Sequence, residues 1–176
     1  DRKQLDKGVI TSSAGNHAQG VAFSAKVLNS SATILMPITT PLVKVNAVRE
    51  LNAKVILFGE NYDETYLEAI RLSEERKLAF IHPFDDPEVI AGQGTIGIEL
   101  ISQHGKSPDS IYIAVGGGGL IAGISAYIKN LWPEIKIIGV EPEDANAMTR
   151  SLKENKIVEL NNVGLFADGV AVKRVG

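Results

Sequence analysis

The sequence predicts an α/β protein with parallel sheets and flanking helices. Two observations carry that reading: short β-branched runs alternate with longer stretches of helical spacing along the whole chain, and several helix starts are marked chemically. In order, "GVIT" leads to helical spacing over Asn16 to Leu28, "ATILM" to Pro41 through Leu51, and "KVILF" to Tyr62 through Lys77. "LAFIH" then leads to Pro87 through His104, "SIYIAV" to Leu120 through Leu131, and "KIIGV" to Asp144 through Glu154. Thr40 and Asp86 each precede a proline, which is favoured at the first helical position, and Asn61 with Glu64 has capping-box spacing. In "IHPFDDP" two prolines and two aspartates interrupt the rhythm, which places a boundary between residues 8–86 and 87–176. "HGKSPDS" reads as a surface loop, and no repeat or low-complexity tract is present.

Composition narrows the function. With 176 residues, 44% hydrophobic and 22% charged, the chain has the makeup of a globular protein of one ordinary domain or two small ones. A net charge of -3 and the lack of a Lys/Arg run argue against nucleic acid as a partner. Without cysteine there is no disulfide framework and no thiolate metal site, which fits a reducing compartment. The longest apolar runs fall far short of a membrane span. Neither "DRKQLDKG" nor "VAVKRVG" reads as a natural terminus, so a fragment is expected.

Two strand-to-helix junctions carry the chemistry. In "IYIAVGGGGLIAG", residues 111 to 123, four successive glycines end a strand, and an anion can approach N–H groups that no Cβ shields while the next helix offers its positive end. A phosphate is the expected ligand. One or two glycines would suffice for a plain turn, and four carry a steep entropy cost on folding. A rival reading takes Gly117, Gly119 and Ala122 as a relaxed dinucleotide fingerprint, with Glu141 at the end of the next strand as the ribose-binding carboxylate. A Walker loop is excluded, because no Lys-Ser or Lys-Thr follows. The second junction, "SSAGNHAQG" at residues 12 to 20, sets polar residues at a helix start. Its N–H groups suit a carboxylate, and Asn16 adds an amide donor that never changes charge. Its bland reading is an ordinary cap by Ser13 or Asn16.

"SSAGNHAQG", "VIAGQGTIGIEL", "VGGGGLIAG" and "GLFADGVAVKRVG", in that order, resemble the biosynthetic threonine dehydratases. These belong to the pyridoxal-phosphate (PLP) enzymes of the tryptophan-synthase β-subunit fold, also called fold type II. The resemblance covers essentially the whole chain. It implies that residues 8–86 are a small mobile domain carrying the Asn loop, and 87–176 a part of the large domain carrying the cofactor-phosphate loop. It further implies that Asn16 contacts the cofactor's phenolic oxygen, that Gly116, Gly117, Gly118, Gly119 and Leu120 wrap its phosphate, and that Ser13, Ala14, Gly15 and His17 receive the substrate carboxylate. The implied reaction converts L-threonine, or L-serine, to 2-oxobutanoate, or pyruvate, and ammonia, as the first step of isoleucine synthesis. The whole protein is then expected to be a homo-oligomer in the cytoplasm, a plastid or a mitochondrion.

Departures from the family pattern matter as much. The Ser-Phe-Lys-x-Arg-Gly motif with the Schiff-base lysine is absent from these residues, so the chain offers no catalytic residue, and the serine that contacts the pyridine nitrogen is absent too. Lys44 and Lys129 lie in amphipathic stretches and are expected to face solvent. The chain thus reads as the middle of an enzyme, with a non-catalytic α/β binding module as the rival. Serine racemase or a catabolic dehydratase is the other alternative. Ala14, however, occupies the place of the serine that delivers a proton in those racemases, and Ala147 replaces the second acid that joins the carboxylate at Glu141 in their cation site, so no metal is expected. His82 and His104 have no partners at metal-ligand spacing and read as packing or surface residues. Asp86 reads as a cap, Asp85 as solvated, and Glu68 to Lys77 as an exposed helix face.

Overall fold

A computed structural model describes residues 2–164 and 166–176. The chain divides into two compact units, Asp1–Pro83 and Phe84–Gly176. The first runs α1 (Arg2–Leu5), β1 (Val9–Ser12), α2 (Asn16–Val27), β2 (Ala32–Met36), α3 (Leu42–Arg49), β3 (Lys54–Leu57), α4 (Tyr62–Arg76) and β4 (Ala79–Phe80). Its four strands form a parallel sheet in the order β3-β2-β1-β4. The two central strands are buried at every position, as parallel strands covered on both faces must be.

Alternation along those strands sorts the core into two layers. Val9, Ala32, Ile34 and Met36 pack with Ala18, Val21, Ala22 and Ala25 of α2 and Val45 and Val48 of α3. Ile10 and Leu35 point the other way, onto Ala69 and Leu72 of α4. The Asn61 side chain accepts from Glu64 N at 3.0 Å, while Glu64 Oε2 returns to Glu60 N at 2.9 Å and not to Asn61 N. Thr40 does not cap α3. Its own N–H closes a turn onto Pro37 O at 3.0 Å, and Pro41 takes the cap position with extended ψ 137°, so the helix starts one residue later than its proline suggests. Lys44 is partly exposed, and exposed Lys129 donates to Pro133 O at 2.9 Å.

The second unit runs α5 (Pro87–His104), β5 (Ser110–Ala114), α6 (Gly119–Leu131), β6 (Lys136–Val140) and α7 (Ala147–Glu154), with 3-10 turns at Glu143–Ala145 and Asp168–Val170. Asp86 caps α5 by accepting from Glu88 N at 2.8 Å and Val89 N at 3.3 Å, with Pro87 in the first position. Helices α5 and α6 meet through glycines: a Cβ on Gly123 would overlap Ile90 O, and one on Gly94 would lie 3.2 Å from Gly123 O. β5 and β6 pair in parallel over a core of Ile113, Ile124, Ile128 and Ile135. A second cluster gathers Ala147, Val158, Leu160 and Val175. Helix α7 begins three residues after Asp144, because Glu143–Ala145 turns as a 3-10 helix first. Among the described residues no helix is long and apolar enough to cross a membrane.

Candidate functional site

In the second unit, Gly116 to Gly119 join β5 to α6, and Gly118 takes the helix N-cap with φ 104°, a conformation that favours glycine. No side chain caps the helix. From Gly116 to Ile121 the N–H groups have no acceptor among the described residues; the helical pattern resumes at Ala122 N, which donates to Gly118 O at 3.0 Å. The result is a run of half-buried donors at the positive end of a 13-residue helix.

The space left by the missing Cβ atoms is filled by protein. A Cβ on Gly117 would overlap the Phe84 ring, and one on Gly119 would lie 2.5 Å from Phe84 O and 2.9 Å from Phe84 Cα. At Gly116 it would meet Val170 Cα at 3.0 Å, and at Gly118 Met148 Cε at 2.7 Å. Gly117 O is held by Gly176 N at 3.1 Å. The expectation that these glycines open room for an anion therefore needs a correction: they let other parts of the unit pack against the loop's back, while its N–H groups stay free. Phosphate has the charge and the acceptors to use such donors.

The first unit carries the other junction, between β1 and α2. Ser13 N donates to Leu35 O at 3.1 Å, and Gly15 N to Ser13 Oγ at 3.2 Å, so both are engaged within the loop and sheet. Gly15 occupies the cap position, and no side chain caps α2. Among the described residues, the N–H groups of Ala14, Asn16, His17 and Ala18 have no acceptor, and neither has the exposed Asn16 amide a partner. This junction can offer a carboxylate several N–H donors and a planar ligand one amide.

His17 is turned into the fold. Thr11 Oγ1 donates to Ile81 O at 2.7 Å, and His17 Nε2 lies 3.0 Å from Thr11 Oγ1 and 3.2 Å from Ile81 O. Since the Thr11 proton points to Ile81 O, these partners assign the ring hydrogen to Nε2. Burial lowers the His17 pKa, outweighing the opposing effect of the Ile81 carbonyl, and nearby His82 lowers it further. Sequence reasoning missed Thr11, whose only signal was its place two residues after Val9 on the same strand face.

Glu141 is also committed. Its carboxylate accepts from Met148 N at 2.9 Å, Thr149 N at 2.7 Å and Thr149 Oγ1 at 2.7 Å, which caps α7 from the end of β6. That removes the group the dinucleotide reading assigned to a ribose. His104 Nδ1 lies 2.8 Å from Lys106 O, and His82 stacks edge-on to Tyr66 and Phe80.

Over residues 1–176 the chain matches the family described as Pyridoxal-phosphate dependent enzyme. It is 57% identical over 175 residues to the Burkholderia multivorans protein named L-threonine dehydratase biosynthetic IlvA, which covers 98% of this chain and 34% of that relative. Its fold is similar to the processed form of threonine deaminase isoform 2 from Solanum lycopersicum, with a TM-score of 0.94, 55% identity, and coverage of 100% of this chain and 51% of that one. Maize serine racemase is similar with a TM-score of 0.92 and 34% identity, over 100% of this chain and 53% of that one. The chain thus spans about a third of the curated relative and about half of each solved chain.

Proposed function

The chain belongs to the pyridoxal-phosphate dependent enzymes, and on that premise we propose that the protein carrying it is a threonine ammonia-lyase of isoleucine biosynthesis. The observation that carries the reading is the glycine loop, whose donors are free while its side-chain space is filled. In this reading the N–H groups of Gly116 to Leu120 hold the cofactor phosphate, and the Asn16 amide donates to the ring oxygen. Ala14, Asn16 and His17 offer N–H groups to the substrate carboxylate, with Ser13 and Gly15 shaping the loop. The unit Asp1–Pro83 serves as the small domain and Phe84–Gly176 as the cofactor-phosphate part of the large one. When bound, the cofactor supplies the electron sink that makes the α-proton of an amino acid labile. L-threonine then loses that proton and its β-hydroxyl, together one water, and hydrolysis of the resulting enamine gives 2-oxobutanoate and ammonia. The chain's own part is to bind, orient and hold charge; proton removal is assigned to none of its residues.

Likeness to a serine racemase favours racemisation as the second reading. Ala14 speaks against it, since a methyl group has no proton to give at the loop position concerned.

The full-length protein tests both. It is expected to release 2-oxobutanoate from L-threonine, and L-serine left after partial turnover is expected to stay L by chiral chromatography. Gly118→Asp, which brings a Cβ at φ 104° and a like charge to the loop, is expected to lose PLP on dialysis faster than the wild type. Equal retention would remove the phosphate from this loop, and efficient D-serine formation would replace the lyase by the racemase.

A further inference from the structure

The carboxylate of Glu141 lies outside the proposed ligand contacts, yet it accepts three hydrogen bonds. It directly follows β6, the strand that pairs with β5, and it satisfies the N–H groups of Met148 and Thr149 together with the Thr149 hydroxyl. Asn146, at the formal cap position, makes no side-chain cap, so this strand-end carboxylate does that work at the positive end of α7. Fixing Met148 N also fixes where the Met148 side chain starts. That side chain is half-buried beside Ala147, Val158 and Leu160, and its Cε lies where a side chain on Gly118 would be. Gly118 stands in the left-handed region, with the open donors on either side of it. A flexible thioether makes a firm support only when its backbone is held.

We propose that Glu141 is a positioning residue for the anion-binding glycine loop, acting through Met148. This rests on the reading that the loop holds the cofactor phosphate. Removing the carboxylate frees the first turn of α7, lets Met148 withdraw from Gly118, and allows the donors of the loop to splay.

The test uses the full-length holoenzyme and a double-mutant cycle of Glu141→Ala and Met148→Ala, read as the rate of PLP release on dialysis and the melting temperature of the apoenzyme. Each single variant is expected to release PLP roughly five- to tenfold faster, the scale of one lost cap. The double variant is expected to be no faster than the worse single, because both act on one contact. A merely structural role would lower the apoenzyme melting temperature in Glu141→Ala while leaving PLP release unchanged, or would give multiplying effects in the double variant. Either result overturns the proposal. Should Glu141→Ala not fold, Glu141→Gln, which keeps one acceptor oxygen, takes its place under the same criterion. Gly119→Ala is the reference. If it strips PLP while the cycle is silent, this inference alone fails; if it too retains PLP, the phosphate reading fails and takes the inference with it.

Discussion

The two strand-to-helix junctions solve one problem in opposite ways. Each follows a parallel strand and opens a helix that no side chain caps. At Gly117 and Gly119 the side-chain space is filled by Phe84, whereas a Cβ on Gly15 would meet nothing within 4 Å. The glycine loop is shaped from behind and presents backbone alone. The Asn loop is shaped by its own side chains, with the Ser13 hydroxyl on Gly15 N and His17 on Thr11, and it presents one amide forward. A glycine is thus not the same statement in both places: at 117 and 119 it is a demand of the fold, and at 15 it is free to answer to a ligand.

Substitution should expose that difference most strongly at Gly119. A Cβ there faces Phe84 backbone, which cannot swing aside, so Gly119→Ala is expected to lose about 2–3 kcal/mol in denaturant unfolding along with its PLP. Gly15→Ala is expected to stay within about 0.5 kcal/mol of wild type while raising KM for threonine. If the two variants lose equal stability, the contrast collapses. A smaller and purely functional effect is expected at Asn16, which is exposed at the first position of α2. Asn16→Ala removes the donor proposed for the cofactor's ring oxygen, so kcat/KM should fall roughly tenfold, with the melting temperature unchanged or slightly raised. An unaltered kcat/KM would leave that loop with backbone recognition only.

The smallest effect concerns His17. Burial holds its pKa below the ordinary 6.5, so below that pH the unfolded chain takes up a proton that the folded chain resists. Stability from this group is therefore complete above about pH 6.5 and declines as pH falls toward the folded value. Melting curves between pH 5 and 8 should show a steeper acid loss for wild type than for His17→Gln, which keeps a donor near the Nε2 position without titrating there. Parallel curves would mean that the ring is as free to protonate in the fold as out of it.

How much of this the sequence discloses depends on how local the cause is. Helix α5 was legible at its start, where Asp86-Pro87 marks it, and it ends at His104 as expected because Gly105, at φ 72°, stops it. The similar Thr40-Pro41 signal misled by one residue, since the same dipeptide also serves a turn that lets Pro41 remain extended. Both strand-to-helix junctions stood out through residue types that a plain turn does not need, and both present N–H groups without an acceptor among the described residues. Phe84, Met148 and Val170 behind the glycine loop were not, because nothing near them in the chain records where they will pack. Glu141 was visible as a carboxylate at a strand end, but its commitment to α7 depends on a helix start displaced by the 3-10 turn before it. "LAFIH" yielded only the two-residue β4, at the edge of its sheet.

That short edge strand imposes an order of assembly. Thr11 and His17 both reach the carbonyl of Ile81, which directly follows β4, and Ile81 N binds Ile10 O. In a chain made from its N-terminus, the Asn loop emerges before β4, so its clasp must wait for the segment through α4 to be synthesised and for β4 to dock beside β1. Such sequence-distant closure is a slow step in folding. The loop proposed to receive the substrate is therefore made well before the strand that completes its shape.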